Sequence, residues 1–247
     1  MTEKSLTPDI DLKKINDITY NYNKICERIA EAAVKSGRKP EDIKFLAATK
    51  TVSPEYINHA ISLGLSYIGE NKVQELNEKF EKYDLEHCSL QFIGHLQTNK
   101  VRQIVDKVDL IQSVDSVKLA NEIARQSLKL NKTTNVLVEV NIGEEENKSG
   151  VYVENLQEIL EEISTIDGIS VQGLMTIPPI CRSKDEIRKF FIKMNKLFID
   201  ISAKKLDNIC MNCLSMGMSD DYYEAVLEGA TMVRIGSALF GARNYNI

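Results

Sequence analysis

The chain has 247 residues, 31 Lys and Arg against 36 Asp and Glu, and a formal net charge of −5. Its 43% hydrophobic content is enough for a real core and excludes a wholly disordered chain. The acidic balance argues against bulk binding of a nucleic-acid backbone, which usually calls for a basic surplus, but not against one small anion held by local groups.

The N-terminus, MTEKSLTPDIDLKK, has no apolar secretory region, and no run of 18 apolar residues exists to span a bilayer. Five scattered cysteines (Cys26, Cys88, Cys181, Cys210, Cys213) fit a reducing cytoplasm better than a disulfide framework. Cys210 and Cys213 form a lone C-x-x-C. Without a second pair or a nearby histidine it reads as two small apolar residues leading into a strand, and no metal site is expected.

The first element is a helix over about residues 8–37. Ile15, Ile18, Tyr22, Ile25, Ile29 and Ala33 put one apolar stripe on one face. Thr7-Pro8-Asp9 is the start signal, and Ser36-Gly37 with Pro40 the stop. From about residue 44 short β-rich runs alternate with longer charged segments of helical period. The runs are Lys44–Thr49, Ser66–Gly69, Gln91–Gly94, Leu110–Val114, Asn135–Asn141, Val171–Thr176, Leu214–Gly217 and Met232–Ser237. Helices are expected near Pro54–Leu63, Lys72–Lys82, Thr98–Lys107, Ser116–Leu130, Val153–Thr165, Lys184–Lys204 and Asp220–Glu228, with a short one after Ala238. Eight strand–helix repeats in this length predict an α/β fold with one closed (β/α)8 barrel over about residues 44–247, preceded by the extra helix, as a single domain over residues 1–247. An open doubly wound sheet is less consistent, since ATKTVSPE after the first run has no Gly-rich nucleotide fingerprint. The one charged loop is Gly143–Gly150.

A parallel barrel carries its active site at the C-terminal ends of the strands. Those positions hold Lys50, Glu70 with Asn71, His95, Ser113 with Asp115, Asn141, Thr176, Ser215, and Gly236 with Ser237. Lys50 is either a solvated strand-end lysine or an amine among apolar walls. Desolvation would favour the neutral form of such an amine, the nucleophile needed for a Schiff base with an aldehyde. Alternation sets Arg234 opposite Val233 and Ile235, toward the barrel interior. A guanidinium there needs acceptors, and two candidates stand open: Glu139 in the fifth run, or the ring nitrogen of a bound pyridine. The segments Ser215–Asp220 and Gly236–Ala238 follow the seventh and eighth runs, where barrels commonly build a phosphate cup from free N–H groups. Ordinary turn chemistry is the competing reading. His95 is either a ligand contact or, slightly favoured, a cap for the following helix. There is no H-E-x-x-H, no G-x-S-x-G and no P-loop.

These segments also resemble a known family. ATKTVSPE with Lys50, YIGENKVQE with Asn71, FIGHLQTNK with His95, SVDS around Asp115, VNIGEEENKSG, GLMTIPP, LSMGMSDDYYEA and VRIGSALFGARNY together resemble the pyridoxal-phosphate homeostasis proteins, over about Phe45 to Tyr245. Those proteins in turn resemble the N-terminal barrel of alanine racemases, the fold-type III pyridoxal-phosphate architecture. The resemblance implies that Lys50 carries pyridoxal 5′-phosphate as a Schiff base and that Arg234 faces the pyridine nitrogen. It implies that Ser215, Gly236 and Ser237 bind the phosphate, with Asn71, Met216 and Ser219 near ring or phosphate and His95 also in the site. It further implies cofactor buffering or delivery, with cofactor-requiring apoenzymes as partners and no robust catalysis. The alternative is an amino-acid racemase. Racemisation needs an acid–base group on each face of Cα, and in the racemases the second arrives from an added β domain. The sequence reaches Ile247 with no such domain expected, so the carrier reading is preferred. A cytoplasmic monomer is expected. The apolar stripe of the first helix can dock on the barrel or on another chain.

Overall fold

A computed structural model describes residues 11–242. The first helix, α1 (Leu12–Lys35), begins at Asp11, whose carboxylate accepts from the backbone N–H of Lys13 and Lys14. Such a cap satisfies orphan donors of the first turn. The start signal anticipated at Thr7–Asp9 lies outside the described residues. Ile18, Ile25, Ile29, Ala32 and Ala33 are buried. They pack on α2 (Pro54–Ser62), α7 (Tyr222–Leu227) and α8 (Ser237–Phe240) of the same chain, so the stripe is used within the molecule.

Eight parallel strands close a ring: β1 (Lys44–Ala48), β2 (Tyr67–Glu70), β3 (Ser89–Phe92), β4 (Leu110–Val114), β5 (Thr134–Asn141), β7 (Ile169–Met175), β8 (Ile209–Ser215) and β9 (Met232–Ile235). Pairing of β1 with β9 and of β4 with β5 completes the circuit. A two-residue strand, β6 (Val151–Tyr152), adds to the outer end of β5 just past the charged loop. It was not anticipated, because two residues carry no period. Around the ring stand α2, α3 (Val73–Lys79), α4 (Val117–Lys129), α5 (Leu156–Ser164), α6 (Lys184–Ser202), α7 and α8. No described helix is long and apolar enough to cross a membrane.

Two expectations need correction. The helix expected over Thr98–Lys107 is a 3-10 helix, Thr98–Gln103, followed by tight turns. Val101, Ile104, Val105 and Val108 are buried there. Their spacing does not separate the two helix types, since both bring residues three apart to one side. The seventh run begins earlier than expected, at Ile209, and takes in both Cys210 and Cys213. Cys210 is exposed, whereas Cys213 sits inside the barrel, so the two sulfurs do not converge.

The barrel interior holds an apolar cluster of Leu46, Ile93, Leu110, Leu137, Met175, Cys213 and Met232. Gly69 leaves room for it: a Cβ there would lie 2.7 Å from Leu46 Cδ2. A second, larger apolar layer fills the space between strands and helices. The polar interior residues Gln91, Gln112, Glu139, Ser215 and Arg234 are buried among them.

Candidate functional site

The C-terminal strand ends converge as the barrel rule requires, and each expected site residue can be placed among them. Lys50 lies two residues beyond β1 and is half-buried. Leu46 and Ala48, which precede it at two-residue steps, belong to or pack on the interior cluster. The turn after it is tight, with Thr51 in the left-handed region at φ 64°. Thr51 N–H donates to Glu75 Oε2 at 2.8 Å. Because β1 pairs with β9, Leu46 opposite Arg234 and Ala47 opposite Ile235, Ala48 comes level with Gly236 and Lys50 follows two residues on, at the same edge of the mouth.

Arg234 is 4% exposed. Its guanidinium donates from Nη1 to Ser215 Oγ at 2.6 Å and from Nη2 to the Thr176 carbonyl at 2.9 Å. Ser215 Oγ donates to Gln112 Oε1 at 2.7 Å, and Gln112 Nε2 donates to Gln91 Oε1 at 2.6 Å. A chain of buried hydrogen bonds thus runs across the barrel and fixes the guanidinium plane. Burial lowers the Arg234 pKa to about 10, which leaves it charged at neutral pH. Of the two acceptors open from the sequence, Glu139 makes no ion pair with Arg234; the structure supplies a hydroxyl and a carbonyl instead. Glu139 is nevertheless near enough to feel it. Burial pushes its carboxyl up to about 7, Asp115 adds to the rise, and Arg234 opposes it.

The two loops expected to form a cup do meet. Gly236 N–H and Ala238 N–H both donate to Ser219 Oγ at 3.2 Å. The turn therefore aims two amides at a single oxygen. A side chain at Gly236 would crowd the Ala48 carbonyl at 3.2 Å. Gly217, at φ 93°, has no room for a Cβ, which would lie 2.5 Å from that of Ala225. Ser237 is exposed beside this turn. Ser215 and Met216 turn their side chains away from the cup. The Ser215 hydroxyl is fully buried and committed to Arg234 and Gln112, so it does not open onto the cup. Met216 is fully buried in the layer between barrel and helices.

Next round the rim from β1, Asn71 follows β2 and His95 follows β3. The two segments touch: a Cβ at Gly94 would lie 2.0 Å from the Asn71 carbonyl oxygen. Asn71 Oδ1 is buried without a partner. His95 does not cap the following turn, whose N-terminal residue is Gln97. Instead its Nδ1 lies 3.2 Å from Ser149 Oγ and 3.5 Å from Asp115 Oδ2, tying the charged loop to the rim.

Two groups escaped the sequence reading. Gln91 and Gln112 are the amide side chains of β3 and β4, and alternation turns both inward beside Arg234. The other is the pair Lys79 and Tyr83, which come from separate elements and gather on the strand-end Glu70 beneath the Lys50 turn.

Comparison with known proteins gives a consistent result. Residues 17–244 match the family model described as alanine racemase, N-terminal domain. A pyridoxal phosphate homeostasis protein of Aquifex aeolicus is 43% identical over 223 residues, 90% of this chain and 97% of that one. The protein of that name from Escherichia coli K12 is 34% identical over 235 residues, 94% of this chain and 99% of the relative. Among solved structures, PipY of Synechococcus elongatus, with PLP bound, superposes with a TM-score of 0.76 at 31% identity, covering 86% of this chain and 100% of PipY. Alanine racemase of Corynebacterium glutamicum shares the fold alone, with a TM-score of 0.68 at 13% identity, 94% of this chain and 62% of the racemase.

Proposed function

We propose that this chain, which belongs to the pyridoxal phosphate homeostasis protein family, holds pyridoxal 5′-phosphate at its barrel mouth and keeps it available to other proteins. One observation carries the reading. The adjacent strands β1 and β9 bring together a primary amine, a fixed guanidinium and two amides aimed at one oxygen.

The residues fit that cofactor chemically. Pyridoxal phosphate supplies an aldehyde that condenses reversibly with a primary amine, a weakly basic ring nitrogen, and a phosphate. Lys50 offers the amine at the rim. Gly236 and Ala238 offer amides to phosphate oxygens, with Ser219 and Ser237 beside them; amides bind an anion without any basic side chain. Asn71 and His95 border the ring from the β2 and β3 side of Lys50. Arg234 is the group assigned to the ring nitrogen. A permanently charged donor there opposes protonation of that nitrogen. Ser215 acts through Arg234, by holding its guanidinium, and the backbone of the Met216–Ser219 loop shapes the cup.

An unprotonated ring nitrogen makes a weak electron sink, which suits retention of the cofactor more than chemistry at an amino-acid Cα. We therefore assign the chain a holding and delivery role in the cytoplasm, as a monomer, with apoenzymes that need this cofactor as acceptors. Titrating purified protein with pyridoxal phosphate should give a bound chromophore that Lys50→Ala abolishes, and mixing with such an apoenzyme should restore its activity. Turnover with a panel of amino acids at rates common to enzymes, about 1 s⁻¹ or more, would replace this reading with the racemase alternative.

A further inference from the structure

The Lys50 turn is clamped from outside the barrel mouth by one side chain that the functional reading leaves without a role. Lys79, in the last turn of α3, is 13% exposed. Its Nζ donates to Glu70 Oε1 at 2.9 Å, to Glu75 Oε2 at 3.1 Å and to the Thr49 carbonyl at 3.2 Å. The two carboxylates it joins grip the same turn. Glu75 Oε2 accepts the Thr51 N–H at 2.8 Å. Glu70 Oε1 accepts the Thr49 hydroxyl at 2.8 Å and the Tyr83 hydroxyl at 2.6 Å. The residues on either side of Lys50 are therefore both held by groups that meet at one ammonium.

The charge arrangement explains why the clamp needs a cation. Glu70 is fully buried and its Oε2 has no hydrogen-bond partner. A buried carboxylate is costly unless paired. Lys79 pairs with it, and also with Glu75. Burial pulls the Glu75 carboxyl up, but the Thr51 N–H and Lys79 outweigh that and hold it below its ordinary value. Thr51 stays in the left-handed region, which costs a β-branched residue energy and persists only where surrounding contacts fix it.

The geometry points to Lys79 as a positioning residue for Lys50: through Thr49, Glu70 and Glu75 it sets the turn that presents the cofactor-capturing amine to the barrel mouth. This rests on the cofactor reading above. Lys79 itself touches neither ligand nor reacting atoms; it acts on the direction of the Lys50 side chain.

The test compares wild type, Lys79→Met, Lys79→Arg and Glu75→Ala. Each is checked for folding by circular dichroism and thermal melting. Pyridoxal phosphate affinity is read from absorbance, and the labelling rate of Lys50 from borohydride trapping at saturating cofactor. Lys79→Met should bind about tenfold or more weakly and label more slowly, as a displaced reacting group does. Lys79→Arg, which keeps the charge and several donors, should recover most of both. Wild-type affinity and labelling in Lys79→Met, with only the melting temperature lowered, would overturn the inference and leave a purely structural ion pair. Should Lys79→Met not fold, Glu75→Ala decides. It frees the Thr51 N–H from a less buried position, so slower labelling supports the clamp and unchanged labelling overturns it. A wild-type protein that takes up no pyridoxal phosphate would instead sink the cofactor reading itself.

Discussion

Glu139 makes the stability of the barrel depend on pH in a direction opposite to most carboxylates. It is 7% exposed on β5, with Asp115 and Arg234 as the charged neighbours that act on it. Its carboxyl is raised from 4.5 to about 7, burial being the main cause. Between those values the folded chain keeps a proton that the unfolded chain has released. Protons then favour the folded state, so stability is full at acid pH and falls as pH rises through 7. At about 1.4 kcal/mol per tenfold change in proton affinity, the difference from 4.5 to about 7 amounts to roughly 3 kcal/mol. Glu139→Gln keeps the shape and removes the ionisation. Urea unfolding of both proteins from about pH 5 to about pH 8 isolates this one group, because every other titration is common to the pair. The variant should gain on wild type by roughly 2.5 kcal/mol across that range, the rest of the difference lying below pH 5. A difference that stays constant with pH would refute the reasoning, and one of opposite sign would mean that Glu139 is a stabilising carboxylate paired in the folded state.

Other predictions concern the hydrogen-bond chain behind Arg234. Ser215→Ala removes a hydrogen bond to a charged donor and leaves Gln112 Oε1 without its buried proton. A loss of about 3 kcal/mol or more in urea unfolding is expected, together with weaker cofactor retention; unchanged retention would detach Ser215 from the site. Arg234→Gln should shift the absorption of bound cofactor and, by removing the charge that restrains Glu139, move the Glu139 midpoint further upward. Unfolding with wild-type cofactor affinity would make Arg234 a structural residue only. Gly94→Ala should fail to fold or lose the rim, since its Cβ would lie 2.0 Å from the Asn71 carbonyl oxygen; a wild-type melting temperature would contradict that contact.

The barrel was legible because its signals are local. Short apolar runs and helical periods repeat along the chain, and the strand-end rule then singles out Lys50 and the turns around Gly236 without any knowledge of contacts. Arg234 could be turned inward from alternation alone. Its partners could not be named, since Thr176 lies just past another strand, 58 residues away, and Gln112, which fixes Ser215 in turn, is 103 residues from it; they meet only when the ring closes. That is why the sequence does not show Ser215 holding the guanidinium, and why Glu139 stands equal to the pyridine as a candidate acceptor. The Lys79 cluster was hidden for a related reason: a charged residue at the end of a short helix looks like solvated surface until Glu70 is seen buried behind it. His95 misled differently, since a histidine ahead of a turn fits a cap, and only the folded charged loop supplies Ser149 as its neighbour.

The central claim is that the amine of Lys50 captures the cofactor aldehyde. Reduction of the pyridoxal-phosphate-loaded protein with borohydride, followed by proteolysis and mass spectrometry, tests it most directly. The account predicts one stoichiometric phosphopyridoxyl label on the peptide containing Lys50. A label spread over surface lysines, or an unmodified Lys50 peptide at saturating cofactor, would contradict it.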